Sequence, residues 1–388
     1  MKIKHLLLAL AALLPSFPAV GATNERAASL LTNLNRTATA APRRPSIIFI
    51  QCHDLAAGDL SCYGQTNYQT PNLDRLAAEG VRFAKYSGGL ESQETTAMLL
   101  AGKAGALEPG VTNFARLLKL SGYHTGLIGE WMFDRTPWMD GFDEFAGFFT
   151  DAEARDYYAA NIWRYPHILY DASNRVQKVF LDREMLYHNA DGSKGQYLPE
   201  LLLGAAANFA RINLPDAANR YRPFFLLVNL SAPRSASADK DVFPVPTDAP
   251  FTGESWPQAA KDRAALVTRL DGMIGRLFEN LKTAGVTNNI AVLFSSSSAP
   301  GKFADTNLNF LLSKENFRGT NSAVPPRLPL IIHFPGKVSG GRVVDSPLTA
   351  PDLTKTLLEI GYAKPPTNLT GHSIWPMLAG REKMKQNP

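Results

Sequence analysis

Hydrophobic positions follow two rhythms along this chain. Ser46-Ile-Ile-Phe-Ile-Gln51, Thr125-Gly-Leu-Ile-Gly129, Pro223 to Leu230, Ile290 to Ser295 and Leu328 to Phe334 are short, continuous apolar runs bounded by proline, glycine or polar residues. Runs of that kind fit strands buried on both faces, as in a parallel sheet. Between them the spacing turns helical. Thr70 stands as N-cap before Pro71 with Gly80 closing the segment, and Thr112 caps Asn113 to Leu120 ahead of Gly122. Residues 199–211, Lys261 to Ala284 and Pro351 to Ile360 complete the set, the second with Leu266, Leu270, Met273, Ile274, Leu277 and Leu281 on one face. Strands alternating with helices predict an α/β architecture, a mostly parallel central sheet flanked by helices. Ligands of such sheets bind beyond the carboxyl ends of the strands, so the residues after each strand are the ones to inspect.

The N-terminus reads differently. Lys2 and Lys4 precede an apolar stretch from Leu6 to Leu14, and Val20-Gly21-Ala22 offers a small-residue cleavage site, so residues 1–22 are expected to be a secretory signal peptide. The apolar stretch is about half of the ~20 residues a bilayer span needs. The mature chain is therefore expected to be periplasmic or secreted, with no integral membrane segment. Residues 23–44, rich in Ala, Thr and Asn, read as a linker or docked arm, and residues 381–388 as a tail.

With 45% hydrophobic and 19% charged residues in 388, the chain can bury a core and is neither disordered nor fibrous. The formal charge of +5 is spread without a basic block, and cleavage of the leader removes two of its lysines, so nothing argues for nucleic acid. Two cysteines, Cys52 and Cys62, exclude a disulfide-stapled scaffold and a four-cysteine zinc site, leaving open whether they pair with each other.

The strand-end residues carry a resemblance. Arg44-Pro45-Ser46-Ile-Ile-Phe-Ile, His53-Asp54-Leu55, Gly58 to Gly64 and Thr70 to Phe83 resemble the opening of a type I sulfatase. Leu117 to Gly129, Gly141 to Phe145, Pro335-Gly336-Lys337 and Gly371-His372-Ser373-Ile374 extend it over roughly residues 44–380. The resemblance implies the alkaline-phosphatase-like fold, with a sulfatase N-terminal domain over residues 45–380 and without the family's smaller C-terminal subdomain. It also implies a formylglycine made from Cys or Ser in a C/S-x-P/A-x-R motif, a calcium held by Asp-Asp and Asp-Asn pairs, and Lys and His around the sulfate. Such chemistry must concentrate positive charge and hydrogen-bond donors on an anionic ester.

At each matching position this chain departs. Ser92 falls on the nucleophile position, but Glu94 replaces the Pro or Ala and Thr96 the Arg, and a serine there is also what N-capping of the next helix selects. The calcium positions read His53-Asp54 and Ser297-Ser298, leaving Asp54 as the one anionic ligand. Glu130 replaces a lysine and Met132 a histidine, whereas Arg234 and Arg318 keep positive charge without supplying a proton donor. A unit charge about 5 Å away is worth roughly 3 kcal/mol at an effective dielectric near 20, so two arginines do not offset these exchanges.

The first reading is thus an exported, non-catalytic sulfatase-family protein (a pseudo-sulfatase), a binding or partner module, with a glycan or a protein as partner and no cofactor. Tyr157, Tyr158, Trp163 and Tyr165 offer it a sugar-stacking surface, although such a run more often packs core and rim. The alternative is a sulfuric ester hydrolase acting on aryl or carbohydrate sulfates at Ser92, with calcium. A phosphoryl hydrolase with two transition metals is the weakest reading, since the seven histidines form no spaced ligand cluster.

Overall fold

The computed structural model describes residues 43–108, 113–216, 218–238, 240–286, 289–300, 306–311 and 326–381. The expected leader, the arm before residue 43, the cap at Thr112, Arg318 and residues 382–388 lie outside the described residues.

The buried apolar runs form the centre of a ten-stranded sheet. In chain order its strands are β1 (Ser46–Cys52), β2 (Val81–Phe83), β4 (His124–Glu130), β5 (Glu144–Phe148), β6 (Asn161–Tyr170), β7 (Val176–Met185), β8 (Phe224–Asn229), β9 (Ile290–Ser296), β11 (Leu330–His333) and β12 (Arg342–Val344). They are arranged β12-β2-β11-β9-β1-β8-β4-β5-β6-β7, and the five from β9 to β5 are parallel throughout. Antiparallel pairs, β5 with β6 and β6 with β7 on one side and β9 with β11 on the other, extend the edges. β3 (Tyr86–Ser87), β10 (Arg327–Leu328) and β13 (Leu348–Thr349) make a separate small sheet. The single strand expected from Leu328 to Phe334 is thus two, broken at Pro329, which has no N–H to continue a ladder.

Helices cover both faces. Residues of α1 (Pro71–Glu79), the short α4 (Asp151–Arg155), α5 (Leu198–Ile212) and α6 (Gln258–Thr283) share one core with Ile48, Ile50, Leu226 and Val292. Those of α2 (Ser92–Ala101), α3 (Phe114–Leu120) and α7 (Ala350–Ile360) share the other with Ile47, Phe49, Leu227 and Leu293. A two-residue period that sends alternate side chains of one strand into two cores is what a continuous apolar run requires. The apolar face expected of α6 is buried throughout.

Two expected caps differ. Thr70 stands at the cap position of α1, but its hydroxyl accepts from Ser61 N at 3.0 Å and makes no cap. Instead Asp271 of α6 accepts from Asn72 N and Leu73 N at 3.1 and 2.8 Å, so one helix caps another. α3 is capped by Asn113, whose Oδ1 accepts from Arg116 N at 3.0 Å. Of the aromatic run, Tyr157 is buried, Tyr165 stacks on Trp138 and Trp163 packs on Phe149 beneath Arg183, so these rings serve packing.

Arg263 of α6 reaches under the carboxyl edge of the sheet. Fully buried, it pairs with Asp59 at 2.9 Å and donates to the carbonyls of Asp54 and Pro233 at 3.1 and 3.2 Å. Asp59 also accepts from Tyr68 Oη and Ala56 N, so the buried carboxylate is saturated. Removing one partner of such a pair strands the other charge. Arg263→Met is expected to cost about 3–5 kcal/mol in urea unfolding, with part recovered in the double variant Arg263→Met, Asp59→Leu; equal losses in both would refute the pairing as the cause.

Candidate functional site

The four central parallel strands end together, and each leaves a polar residue at its carboxyl end. β1 runs into His53 and Asp54, β9 into Ser297 and Ser298, β4 ends on Glu130 and β8 on Asn229. Gly129 makes the approach of β4 to β8 possible: its φ is +111°, and a Cβ there would fall 1.9 Å from Asn229 O. Glu130 follows directly and is thereby set against β8. Asp54 holds a left-handed φ of 58°, locked by Ser298, whose hydroxyl accepts from Asp54 N at 3.0 Å and donates to Asp54 Oδ1 at 2.8 Å.

Ser92, Asp54 and Ser297 are brought together at this edge. The cap expected of Ser92 is not made. Glu91 occupies the N-cap position, Ser92 is the first residue of α2, and its hydroxyl lies 2.6 Å from that of Ser297, which also donates to Cys52 O at 3.0 Å. Cys52 and Cys62 are free thiols, so they do not pair. Burial, then the Asp74 carboxylate, pushes the Cys62 thiol up to about 12, and burial raises Cys52 further, so neither is a nucleophile at neutral pH.

Ser92 lines a cavity of about 280 Å³ together with Glu91, Glu130 and Asp151, Arg234 and His53, and Asn229, Met132 and Phe133 among others, whereas Asp54, Ser297 and Ser298 are not among its lining residues. A wider cleft of about 900 Å³ adjoins it through Glu91, Gln93 and Phe133. Arg234 is engaged by Asp151 at 2.5 Å. His53 Nδ1 lies 3.1 Å from Glu130 Oε2, and its Nε2 lies 3.8 Å from Asp54 Oδ1. Burial alone would lower the His53 pKa. The carboxylates of Glu130 and Asp54, with the bond to Glu130, outweigh both burial and the repulsion from Arg234 and hold it above the ordinary histidine value.

The carboxylate of Glu130 is only 2% exposed, and its Oε1 has no hydrogen-bond partner. Asn229 donates through Nδ2 to Glu130 O at 3.0 Å, which leaves Oδ1, also buried and without a partner, as an acceptor. Asn229 and Asp151 were not read from the sequence as site residues; Asn229 ends an expected strand, so the strand-end rule would have found it. Arg318 lies outside the described residues, so its place relative to the cavity is not assigned.

A sequence model of the sulfatase family matches residues 45–361. The chain belongs to the sulfatase family. It is similar to N-acetylgalactosamine-6-sulfatase of Canis lupus familiaris, 27% identical over 94% of this chain and 71% of the relative, and to the same enzyme of Homo sapiens, 28% identical over 89% and 68%. Human arylsulfatase D is 25% identical over 89% and 70%. Among solved structures, Ps i-CgsB in complex with k-i-k-neocarrahexaose has a TM-score of 0.67 at 24% identity, covering 87% of this chain and 77% of that one. The PsFucS1 sulfatase from Pseudoalteromonas sp. has 0.66 at 20%, over 94% and 77%. At these identities the structures establish the shared alkaline-phosphatase-like fold.

The calcium that the sulfatase family implies can be tested against the donors present. Calcium takes six to eight oxygens with carboxylates among them. Here Asp54 is the one carboxylate of the four positions, its Oδ1 already accepts from Ser298, and the Ser297 hydroxyl is shared between Ser92 and Cys52 O. Among the described residues no three His, Cys, Asp or Glu side chains converge as metal ligands. The donor set does not fit the ion.

The His53–Glu130 pair has a measurable signature. Since its folded pKa lies above the unfolded value of about 6.5, the stability it contributes is complete below that pH and is lost as pH rises through the folded value. In Glu130→Gln the His53 titration followed by NMR should move down; an unmoved titration would show that Glu130 does not hold the proton there.

Proposed function

We propose that this sulfatase-family chain binds a carbohydrate or a protein partner at its strand-end pocket and does not hydrolyse sulfate esters. The buried carboxylate of Glu130 carries the reading: a sulfate ester entering the cavity would meet a carboxylate where turnover needs a cation, and the imidazole beside it is already engaged by Glu130 and Asp54. Arg234 does not compensate, because Asp151 already holds its guanidinium. Among the described residues no base is bonded to Ser92, whose partner is the neutral hydroxyl of Ser297. A glycan is the favoured partner, since similar proteins bear the name N-acetylgalactosamine-6-sulfatase and one solved neighbour is in complex with k-i-k-neocarrahexaose. The leader-like N-terminus supports export to the periplasm or the medium. No helix among the described residues is long and apolar enough to cross a membrane.

The alternative, a sulfuric ester hydrolase at Ser92, draws on one observation, that the hydroxyl is not consumed in capping. Assays on aryl and carbohydrate sulfates decide between them. No turnover above background is expected, and Ser92→Cys alone should not restore it, because groups that act as one unit fail together. Turnover that Ser92→Ala abolishes in a folded protein would establish the alternative.

Calorimetric titration addresses the metal separately. Calcium is expected to give no heat of binding at His53, Asp54, Ser297 and Ser298, whereas tight binding lost in Asp54→Ala would restore the metal to the site.

A further inference from the structure

The large sheet has an open edge at β7, which is bonded to β6 on one side and, among the described residues, to no strand on the other. β5 reaches β6 only at Trp163, Arg164 and Tyr165, so from Pro166 outward the two strands run on as a ribbon without a third. Ile168, Leu169, Tyr170, Val176 and Val179 are exposed on that ribbon. A two-stranded ribbon is marginal in water and gains stability from a further strand. Neither a proline nor an extra residue interrupts β7 from Lys178 to Met185, because the irregularity between Arg164 and His167 places its extra residue on β6.

One bond fixes which backbone groups face outward. Leu186 N donates to Ala160 O at 2.8 Å, next to the pair Asn161–Met185, so even-numbered residues of β7 bond to β6 and odd-numbered ones turn their N–H and C=O away. Arg183 N agrees with this, since it donates to the Asp182 carboxylate at 2.9 Å rather than to a strand. A second β7, antiparallel about a two-fold axis at Phe180, would exchange bonds between Val179 and the partner's Leu181. In that register Phe180 faces the partner's Phe180, and Lys178 faces the partner's Asp182, both favourable cross-strand pairs. Lys178 lies over the Phe180 ring and pairs with no carboxylate among the described residues, while Asp182, held by His167 at 3.2 Å, sets its carboxylate at the open edge. A register two residues away sets Phe180 against the partner's Asp182 or the partner's Lys178 in place of a second ring.

We propose that β7 is a dimerisation edge, pairing antiparallel with β7 of a second copy of this chain and joining the two large sheets into one. A two-fold contact uses the same surface on both subunits, so assembly through it stops at two.

Sedimentation of the full chain at micromolar concentration should give twice the monomer mass. Val179→Pro removes an outward N–H and keeps the bonds to β6, so it should weaken dimerisation at least tenfold with the circular dichroism unchanged. In Phe180→Cys the two thiols meet at a pair whose Cα atoms are about 4.5 Å apart, so mild oxidation should cross-link the dimer, whereas Val179→Cys, which faces the partner's Leu181, should not cross-link. A wild-type monomer, whether or not another protein binds along this edge, overturns the proposal, as does assembly beyond the dimer. So does a dimer unweakened in Val179→Pro, no cross-link in Phe180→Cys, or equal cross-linking of the two cysteine variants. If Val179→Pro does not fold, the cross-linking pair decides.

Discussion

One buried guanidinium holds the functional edge of this protein together. Arg263 rises from the long helix α6 to bind the Asp59 carboxylate and the carbonyls of Asp54 and Pro233, so a single side chain ties the segment after β1 to the segment after β8. Those segments carry His53 and Asp54 on one side and Arg234 on the other. A charge taken out of water must be paired and hydrogen-bonded, and the two carbonyls it needs are those of the loops that build the cavity. The positions of the pocket residues therefore depend on a pair that does not itself line the pocket.

On that frame the pocket has an unusual electrostatic balance. The polar residues at the strand ends are engaged with one another or with the start of α2: Ser298 with Asp54, Glu130 with His53, and Ser297 with Ser92. Positive charge is spent internally, Arg234 on Asp151 and the imidazole on two carboxylates. What remains unsatisfied is acceptor capacity, on Glu130 and Asn229.

Much of this was legible in the sequence, and the exceptions have physical causes. β1, β4, β8 and β9 were plain because a strand buried on both faces has no polar alternation to blur it. The β6–β7 hairpin escaped notice because it lies at the edge, with Ile168, Leu169, Val176 and Val179 exposed, and because Pro166 sits where the pairing register shifts. The family resemblance, followed to the strand ends, supplied Asp54, Ser297 and Ser298 as well as Ser92. Their partners were hidden, since Ser92 meets Ser297 across 205 residues and His53 meets Glu130 across 77. Local rules see a serine before a helix as a cap; only the fold shows the hydroxyl turned toward another strand.

The backbone explains how a family fold and such a pocket coexist. The strand ends are registered by main-chain bonds: His53 N to Ala232 O at 3.3 Å, Ser297 N to Cys52 O at 2.7 Å, Leu55 N to Ser298 O at 3.2 Å. None of these involves the side chains that define the chemistry. Glu130 itself is registered by its main chain against Phe148 of β5, so the place of that position in the sheet does not depend on its side chain. The fold thus determines where a ligand is held, at the carboxyl edge of the parallel strands, whereas the side chains grafted there determine what is held. Family membership transmits the first of these properties through backbone hydrogen bonds and the two cores, and it leaves the second to residues such as Glu130 and Asn229.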